Sequence, residues 1–200
     1  MRELSLNEFS EKLFSKEAVP GGGGAAALVG SLAVSLGAMA ANLTVGKEKY
    51  AEYGDELNHN LKRADELRIR LLELIEEDAE GFSEINKAYR IKPRNEEMIE
   101  QALYSAATPP LHMMEALKEV IDILSCLADK TSILVVSDVG VGAKLAEAAL
   151  SSAYLNVIVN VGLMKDEDKA SYFANKAKDL LVHTTKADEI YEVIKDKLKK

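Results

Sequence analysis

Two stretches of this chain carry almost no charge. Residues 25–46 contain no Asp, Glu, Lys or Arg, and residues 140–164 contain only Lys144 and Glu147. Both are rich in Ala, Gly, Ser and Val. Such segments must be covered, by the rest of the chain, by another copy or by lipid. The first is long enough to cross a bilayer. It ends on Asn42 and Thr44 and lacks flanking aromatic belts, which favours a buried helix over a membrane span. Its small residues recur every three or four positions, at Ala26, Gly30, Ala33, Gly37 and Ala41. That spacing lets another helix approach closely, as a central helix or a subunit contact would require.

The remaining pattern is helical. Ser5-Leu6-Asn7-Glu8 reads as a capping box opening a helix to about Phe14. Pro20 with Gly21, Gly22, Gly23 and Gly24 reads as a loop before a helix over 25–43. A long amphipathic helix is predicted over 50–89, on the stripe Leu57, Leu61, Ala64, Leu67, Leu71, Ile75, Asp78, Phe82, Ile85. Lys92-Pro93 ends it. A helix follows over 95–108, and Pro109-Pro110 is expected to start the next, to about residue 127. The short run 133–136 reads as extended loop or helix start. Helices over 140–164, from Asp166 to about residue 182, and over 187–198 complete the chain. The expected fold is all-α. It is a single domain over residues 1–200, a bundle of about eight helices with two central apolar, small-residue-rich helices wrapped by amphipathic ones. Two such helices are hard to cover within 200 residues, so a homodimer or larger homo-oligomer is expected.

Several function classes are excluded. The net charge is −8 and the one basic block is the C-terminal KDKLKK, so no nucleic-acid partner is expected. Cys126 is the one cysteine, which rules out an intrachain disulfide and a Cys-based metal site. His59, His112 and His183 show no metal-ligand spacing, so no metal is expected. There is no H-x-E with P-C-x-x-C and no G-x-S-x-G. The glycine run is followed by Ala25-Ala26 where a Walker loop needs Lys and Ser or Thr. A dinucleotide fingerprint needs a preceding strand, and residues 11–19 read as helix. The first twelve residues lack the apolar core of a signal peptide, which makes the cytoplasm the expected location and no membrane the expected setting.

The candidate chemistry lies elsewhere. Gly21, Gly22, Gly23 and Gly24, opening a long helix, present free N–H groups and the positive end of a helix dipole to an anion. Asp78 sits on the apolar stripe, where desolvation raises a carboxyl pKa and suits it to proton transfer. Asp138 follows Ser137 before a glycine-containing helix, as an N-cap or as an acceptor at a pocket mouth. Asn156 and Asn160 share one face of an apolar helix, where they bridge helices or bind a polar ring. Lys47 and Lys49, with Tyr50, follow the first apolar helix, complementing its dipole or holding an acidic substrate tail.

Read together, these segments resemble the cyclodeaminase-type domain of the formiminotransferase-cyclodeaminase family, which also occurs alone. The matching pieces are Pro20-Gly21-Gly22-Gly23 with its Ala-rich helix, Ala41-Asn42-Leu43-Thr44 through Tyr50, Asp78-Ala79 with Phe82, Ala88-Tyr89, Pro110-Leu111, Ser137-Asp138-Val139, and Asn156-Val157 with Asn160. Gly24 stands where the family usually has Ser, and Lys130-Thr131-Ser132 where it often has Asn. The resemblance implies an all-α fold, a dimeric unit, a tetrahydrofolate derivative as substrate, and neither metal nor redox cofactor. It implies formiminotetrahydrofolate cyclodeamination, in which N10 attacks the formimino carbon on N5 and ammonia leaves. A separate formiminotransferase is the possible supplier of that substrate. Asp78 and Asp138 are the expected catalytic pair. Gly21, Gly22, Gly23, Gly24, Lys47, Lys49, Tyr50, Ser137, Asn156 and Asn160 are the expected substrate contacts. Methenyltetrahydrofolate cyclohydrolase activity is one alternative, and a non-catalytic folate-binding or scaffold dimer the other.

Overall fold

Ser5 opens the first helix as its spacing predicts. Its hydroxyl accepts the Glu8 N–H at 3.2 Å, and the Glu8 carboxylate accepts the Ser5 N–H at 2.7 Å. The structure, a computed structural model, describes residues 1–199. Among these, the elements are α1 (Leu6–Phe14), α2 (Gly22–Asn42), a 3-10 helix (Glu48–Tyr53), α3 (Gly54–Arg90), α4 (Glu96–Lys130), α5 (Val136–Val161), α6 (Glu167–Leu181) and α7 (His183–Lys197). No strand occurs among the described residues, so the all-α expectation holds.

The described residues form seven α-helices and one 3-10 turn where about eight helices were expected, with α5 and α7 each starting four residues early, and three further differences bear on the site. The glycine run is not a loop: Gly22, Gly23 and Gly24 are the first turn of α2, with Gly21 as the N-cap. The long amphipathic helix starts at Gly54, because residues 48–53 wind as a 3-10 turn. Pro109 and Pro110 do not start a helix; they lie inside α4, fusing the two segments expected there. The ring of Pro110 carries no N–H for the carbonyl four residues back, which is Ala106. That carbonyl finds another donor, described below.

α2 runs along α3, α4 and α5. Its small residues admit the leucines of α4: a Cβ on Gly30 would stand 2.7 Å from a Leu117 methyl, and one on Gly37 2.7 Å from a Leu124 methyl. α5 comes close enough that a Cβ on Gly142 would stand 2.9 Å from the Ala33 carbonyl oxygen. Gly22 faces Asn156, so α2 and α5 are antiparallel. The helix buried along most of its length is α4, with Leu103, Met113, Met114, Leu117, Ile121 and Leu124 fully enclosed. It joins the two small-residue helices at the centre, because Leu and Met fill the space that Gly and Ala leave. By length and mean hydropathy α2 could cross a membrane, yet about half of it is buried against the other helices, as in the core helix of a globular bundle.

Candidate active site

The N-terminal end of α2, the C-terminal third of α3, the N-terminal third of α4 and the C-terminal end of α5 line a cavity of about 320 Å³. Its polar wall is Asp78, Asn156 and Asn160 together with the backbone of Gly21, Gly22 and Gly23. Its apolar wall includes Val19, Phe82, Ile85, Val159 and Leu163. No Lys, Arg or His lines it among the described residues.

Asp78 reaches this cavity because it continues the buried stripe of α3 one turn beyond Ile75. Beyond it the stripe opens: Phe82 is 40% exposed, at the cavity rim rather than in the core. The Asp78 carboxyl lies against the first turn of α2, where a Cβ on Gly23 would stand 2.5 Å from its carboxyl carbon. Only glycine leaves room for the acid there. Burial pushes the Asp78 pKa up to about 6, and the Gly24 N–H pulls it back. Among the described residues no cation pairs with it. The glycine N-terminus expected to receive a substrate anion therefore already faces a carboxyl group of this chain. Gly24 itself is covered by Pro20 and Ile75, and touches the site only through its backbone.

Asn156 and Asn160 sit in the last two turns of α5. The Asn156 amide nitrogen donates to the Ser152 carbonyl at 2.9 Å. That of Asn160 donates to the Asn156 carbonyl at 2.9 Å and to the Ala106 carbonyl at 3.3 Å. The second acceptor is the carbonyl that Pro110 leaves free. Gly81 brings α3 onto the same point, for a Cβ on it would stand 2.9 Å from the Ala106 Cα. The role of Ala106 was missed in the sequence reading, although counting four residues back from Pro110 identifies it.

The other expected site residues lie at the opposite end. α2 is 21 residues long, about 30 Å at 1.5 Å per residue. Lys47, Lys49 and Tyr50 follow its far end, both lysines exposed, with the Lys49 ammonium 5.6 Å from the Tyr50 ring centre. Ser137 and Asp138 lie in the first turn of α5, 18 or more residues before Asn156. Ser137 is exposed and Asp138 half-buried. Asp138 is not the N-cap, a place taken by Val135, and its N–H donates to the Val135 carbonyl at 3.1 Å. The buried Thr44 hydroxyl ties this end together, accepting the Ser132 N–H at 2.9 Å. Within one chain the expected residues thus form two groups, with Asp78, the glycines and both asparagines in one and Asp138, Ser137, Lys47, Lys49 and Tyr50 in the other.

Adjoining the cavity, and sharing Gly22 and Asn156 with it, an apolar groove of about 360 Å³ runs between α2 and α5 past Val29, Ala148 and Leu155. Among the described residues no three His, Cys, Asp or Glu side chains cluster as metal ligands would.

This bundle has known counterparts. A solved structure of formiminotetrahydrofolate cyclodeaminase from Thermotoga maritima superposes with a TM-score of 0.89, at 27% identity, covering 98% of this chain and 96% of that one. The methenyltetrahydrofolate cyclohydrolase of Methylorubrum extorquens is 35% identical over 202 residues, 97% of each chain. The formimidoyltransferase-cyclodeaminase of Mus musculus is 26% identical over 172 residues, and the chain spans 32% of that protein's length. Residues 5–179 match the profile of formiminotransferase-cyclodeaminase. On the profile, the identity and the fold alike, this chain belongs to the formiminotransferase-cyclodeaminase family.

Proposed function

We propose that this chain is an enzyme acting on the 5,10-methenyl bridge of tetrahydrofolate, with Asp78 as the group that handles protons. The observation that carries the proposal is a single carboxyl group in a sheltered cavity, its pKa raised to about 6 by burial. Near neutral pH such a group is mostly ionised, so it can take a proton, and it is basic enough to hold one until it is returned. The cavity admits a ring of pterin size, Phe82 offers an aromatic face at its rim, and the adjoining apolar groove offers room for the rest of the folate.

Hydrolysis stands first among the reactions, because the relative with 35% identity across nearly the whole of both chains is a cyclohydrolase. In it water adds to the methenyl carbon between N5 and N10, and Asp78 takes a proton from that water. The bond from carbon to N5 then breaks as N5 receives that proton, the remaining hydroxyl proton passes to solvent as the formyl C=O forms, and 10-formyltetrahydrofolate results. Cyclodeamination, placed first from sequence alone, is the second reading, supported by the Thermotoga structure and the family. There Asp78 takes the N10 proton as N10 attacks the carbon of the protonated formimino group, then gives it to the NH₂ group, which leaves as ammonia and the methenyl cation forms. This reading needs a formiminotransferase to supply the substrate. Neither reaction changes an oxidation state, so the proposal needs no redox cofactor. It is set in the cytoplasm.

The proposal includes a homodimer. α2 exposes Leu32, Met39 and Leu43, seven and then four residues apart, as a face a second copy would cover. Leu32 is the midpoint of Gly22–Asn42, so a two-fold axis there would set the Lys47 and Lys49 of one copy near the Asp78 cavity of the other. Those lysines would hold the anionic glutamate tail, and Asp138 would complete the site.

The test follows the methenyl chromophore with purified protein at several pH values. Loss of added methenyltetrahydrofolate supports hydrolysis; its formation from formiminotetrahydrofolate with ammonia release supports cyclodeamination. With Asp78 as base, kcat/KM should rise with pH through about 6. A flat profile would remove Asp78 from the role, and no turnover of either substrate would leave a folate-binding or scaffold protein.

A further inference from the structure

The polar side chains of the cavity are mostly acceptors. The amide nitrogens of Asn156 and Asn160 are committed to the backbone carbonyls of Ser152, Asn156 and Ala106. A carbonyl cannot donate, so these bonds fix which way each amide points. Asn160 has both amide hydrogens engaged and offers the cavity its carbonyl oxygen alone, whereas Asn156 keeps one N–H beside its carbonyl oxygen. Asp78 adds carboxylate oxygens, and no basic side chain opposes them. α5 ends at Val161 beside the cavity, with Leu163 of the following turn in its wall, so the negative end of that helix dipole points the same way. The positive end of α2 faces the Asp78 carboxyl and is largely neutralised by it. The site therefore presents mainly acceptors and negative potential, while its donors are the remaining Asn156 N–H and the backbone.

We infer that Asn160, locked as an acceptor beside Asp78, makes this cavity selective for the positively charged form of the one-carbon unit over its neutral forms. The inference rests on the folate reading above and adds a specificity-determining residue to it. Methenyltetrahydrofolate carries a delocalised positive charge across N5, carbon and N10, and a protonated formimino group carries one on the same carbon. A formyl group on N5 is neutral and turns a carbonyl oxygen toward its surroundings. In a cavity walled by acceptors that oxygen meets other oxygens and loses its water partners without replacement. The cation, by contrast, is stabilised by every oxygen that faces it. The preference is thus built from the attraction of one form and the rejection of the other. The lock matters as much as the residue type, because an asparagine free to flip could offer its NH₂ to the neutral form.

The experiment compares dissociation constants on the full chain. Methenyltetrahydrofolate is measured by rapid mixing, from its chromophore before turnover, and 5-formyltetrahydrofolate by calorimetry. The wild type should bind the cation at least about tenfold more tightly, a difference of about 1.4 kcal/mol. Asn160→Leu should bring that ratio toward one. Because this change also orphans the Ala106 carbonyl, Asn156→Leu is made alongside it. The Asn156 nitrogen serves only a carbonyl of its own helix, so that variant keeps its fold; it removes one carbonyl oxygen and one N–H and should lower the ratio less than Asn160→Leu. If both folates bind and the ratio is the same in the wild type and in the folded variants, the selectivity inference is overturned and the folate reading stands. If neither folate binds, it is the folate reading that fails.

Discussion

The two ends of the bundle look alike in sequence and differ in what they do with an acid. Asp78 and Asp138 each lie close to glycines and a helix start. Asp138 belongs to the helix whose first turn it occupies, half-buried at an open end. Asp78 belongs to one helix and is presented to the start of another, across a contact that only Gly23 permits. The first arrangement is local and leaves the acid half-buried. The second is tertiary, and burial there pushes the carboxyl up to about 6. The proton affinity of Asp78 is thus set by the helix start it is delivered to and by its burial there.

Substitutions can break that contrast. Asp78→Asn keeps the shape and removes the proton carrier, so turnover should fall by at least about 100-fold in initial-rate assays. The same change should stabilise the fold above pH 6. The folded Asp78 pKa, about 6, exceeds its ordinary 3.8, so the folded state binds the proton more tightly and stability falls as pH rises between these values. The asparagine variant escapes that penalty. Its gain should be absent below about pH 4 and grow to at most about 3 kcal/mol above pH 6, read from urea unfolding at each pH. Equal stability of the two proteins at pH 8 would mean that Asp78 is not desolvated.

A mixing experiment sharpens the comparison by asking whether the two ends meet in a dimer. Asp78→Asn and the double variant Lys47→Ala, Lys49→Ala should each be weakly active alone. Mixed and exchanged, they should recover about a quarter of the wild-type rate, since half the dimers become hybrids with one intact site each. No recovery after proven exchange would place the lysines outside the Asp78 site.

Smaller effects test the packing that holds the acid in place. Gly81→Ala drives a Cβ to 2.9 Å from the Ala106 Cα, where backbone must move, and should cost about 1–3 kcal/mol. Gly54→Ala, at the first residue of α3 with no atom within 4 Å of the added Cβ, should change stability by less than about 0.5 kcal/mol. Melting curves that moved equally for the two would break the claim that α3 and α4 meet at Ala106.

Much of the helical order was legible in the sequence because it is written in local periods. The capping box at Ser5, the stripe from Leu57 to Ile75 and the cap at Asp166 each follow from residues within a few turns. The place of Asp78 followed too, since an acid on an apolar stripe must be partly desolvated. What did not follow is tertiary. Glycines in a row read as a loop until Asp78 faces their helical turn. Pro109-Pro110 read as a helix start because in isolation it is a good one, and the packing of α4 overrode that preference. The separation of Asp138 and the lysines from Asp78 depends on α2 and α5 running antiparallel, which no residue pattern on either helix declares.

The missing N–H of Pro110 has a consequence for any attempt to make this protein hardier. A screen for heat resistance would favour Pro110→Ala, which restores a helical hydrogen bond and removes a ring from a helix interior, worth up to about 3 kcal/mol. The repaired bond would draw on the Ala106 carbonyl that Asn160 uses and loosen one of the two bonds that hold its amide, leaving the one to the Asn156 carbonyl. Such a screen would select a more durable molecule that discriminates less between its ligands. The imperfection in the helix is where durability and selectivity draw on the same oxygen.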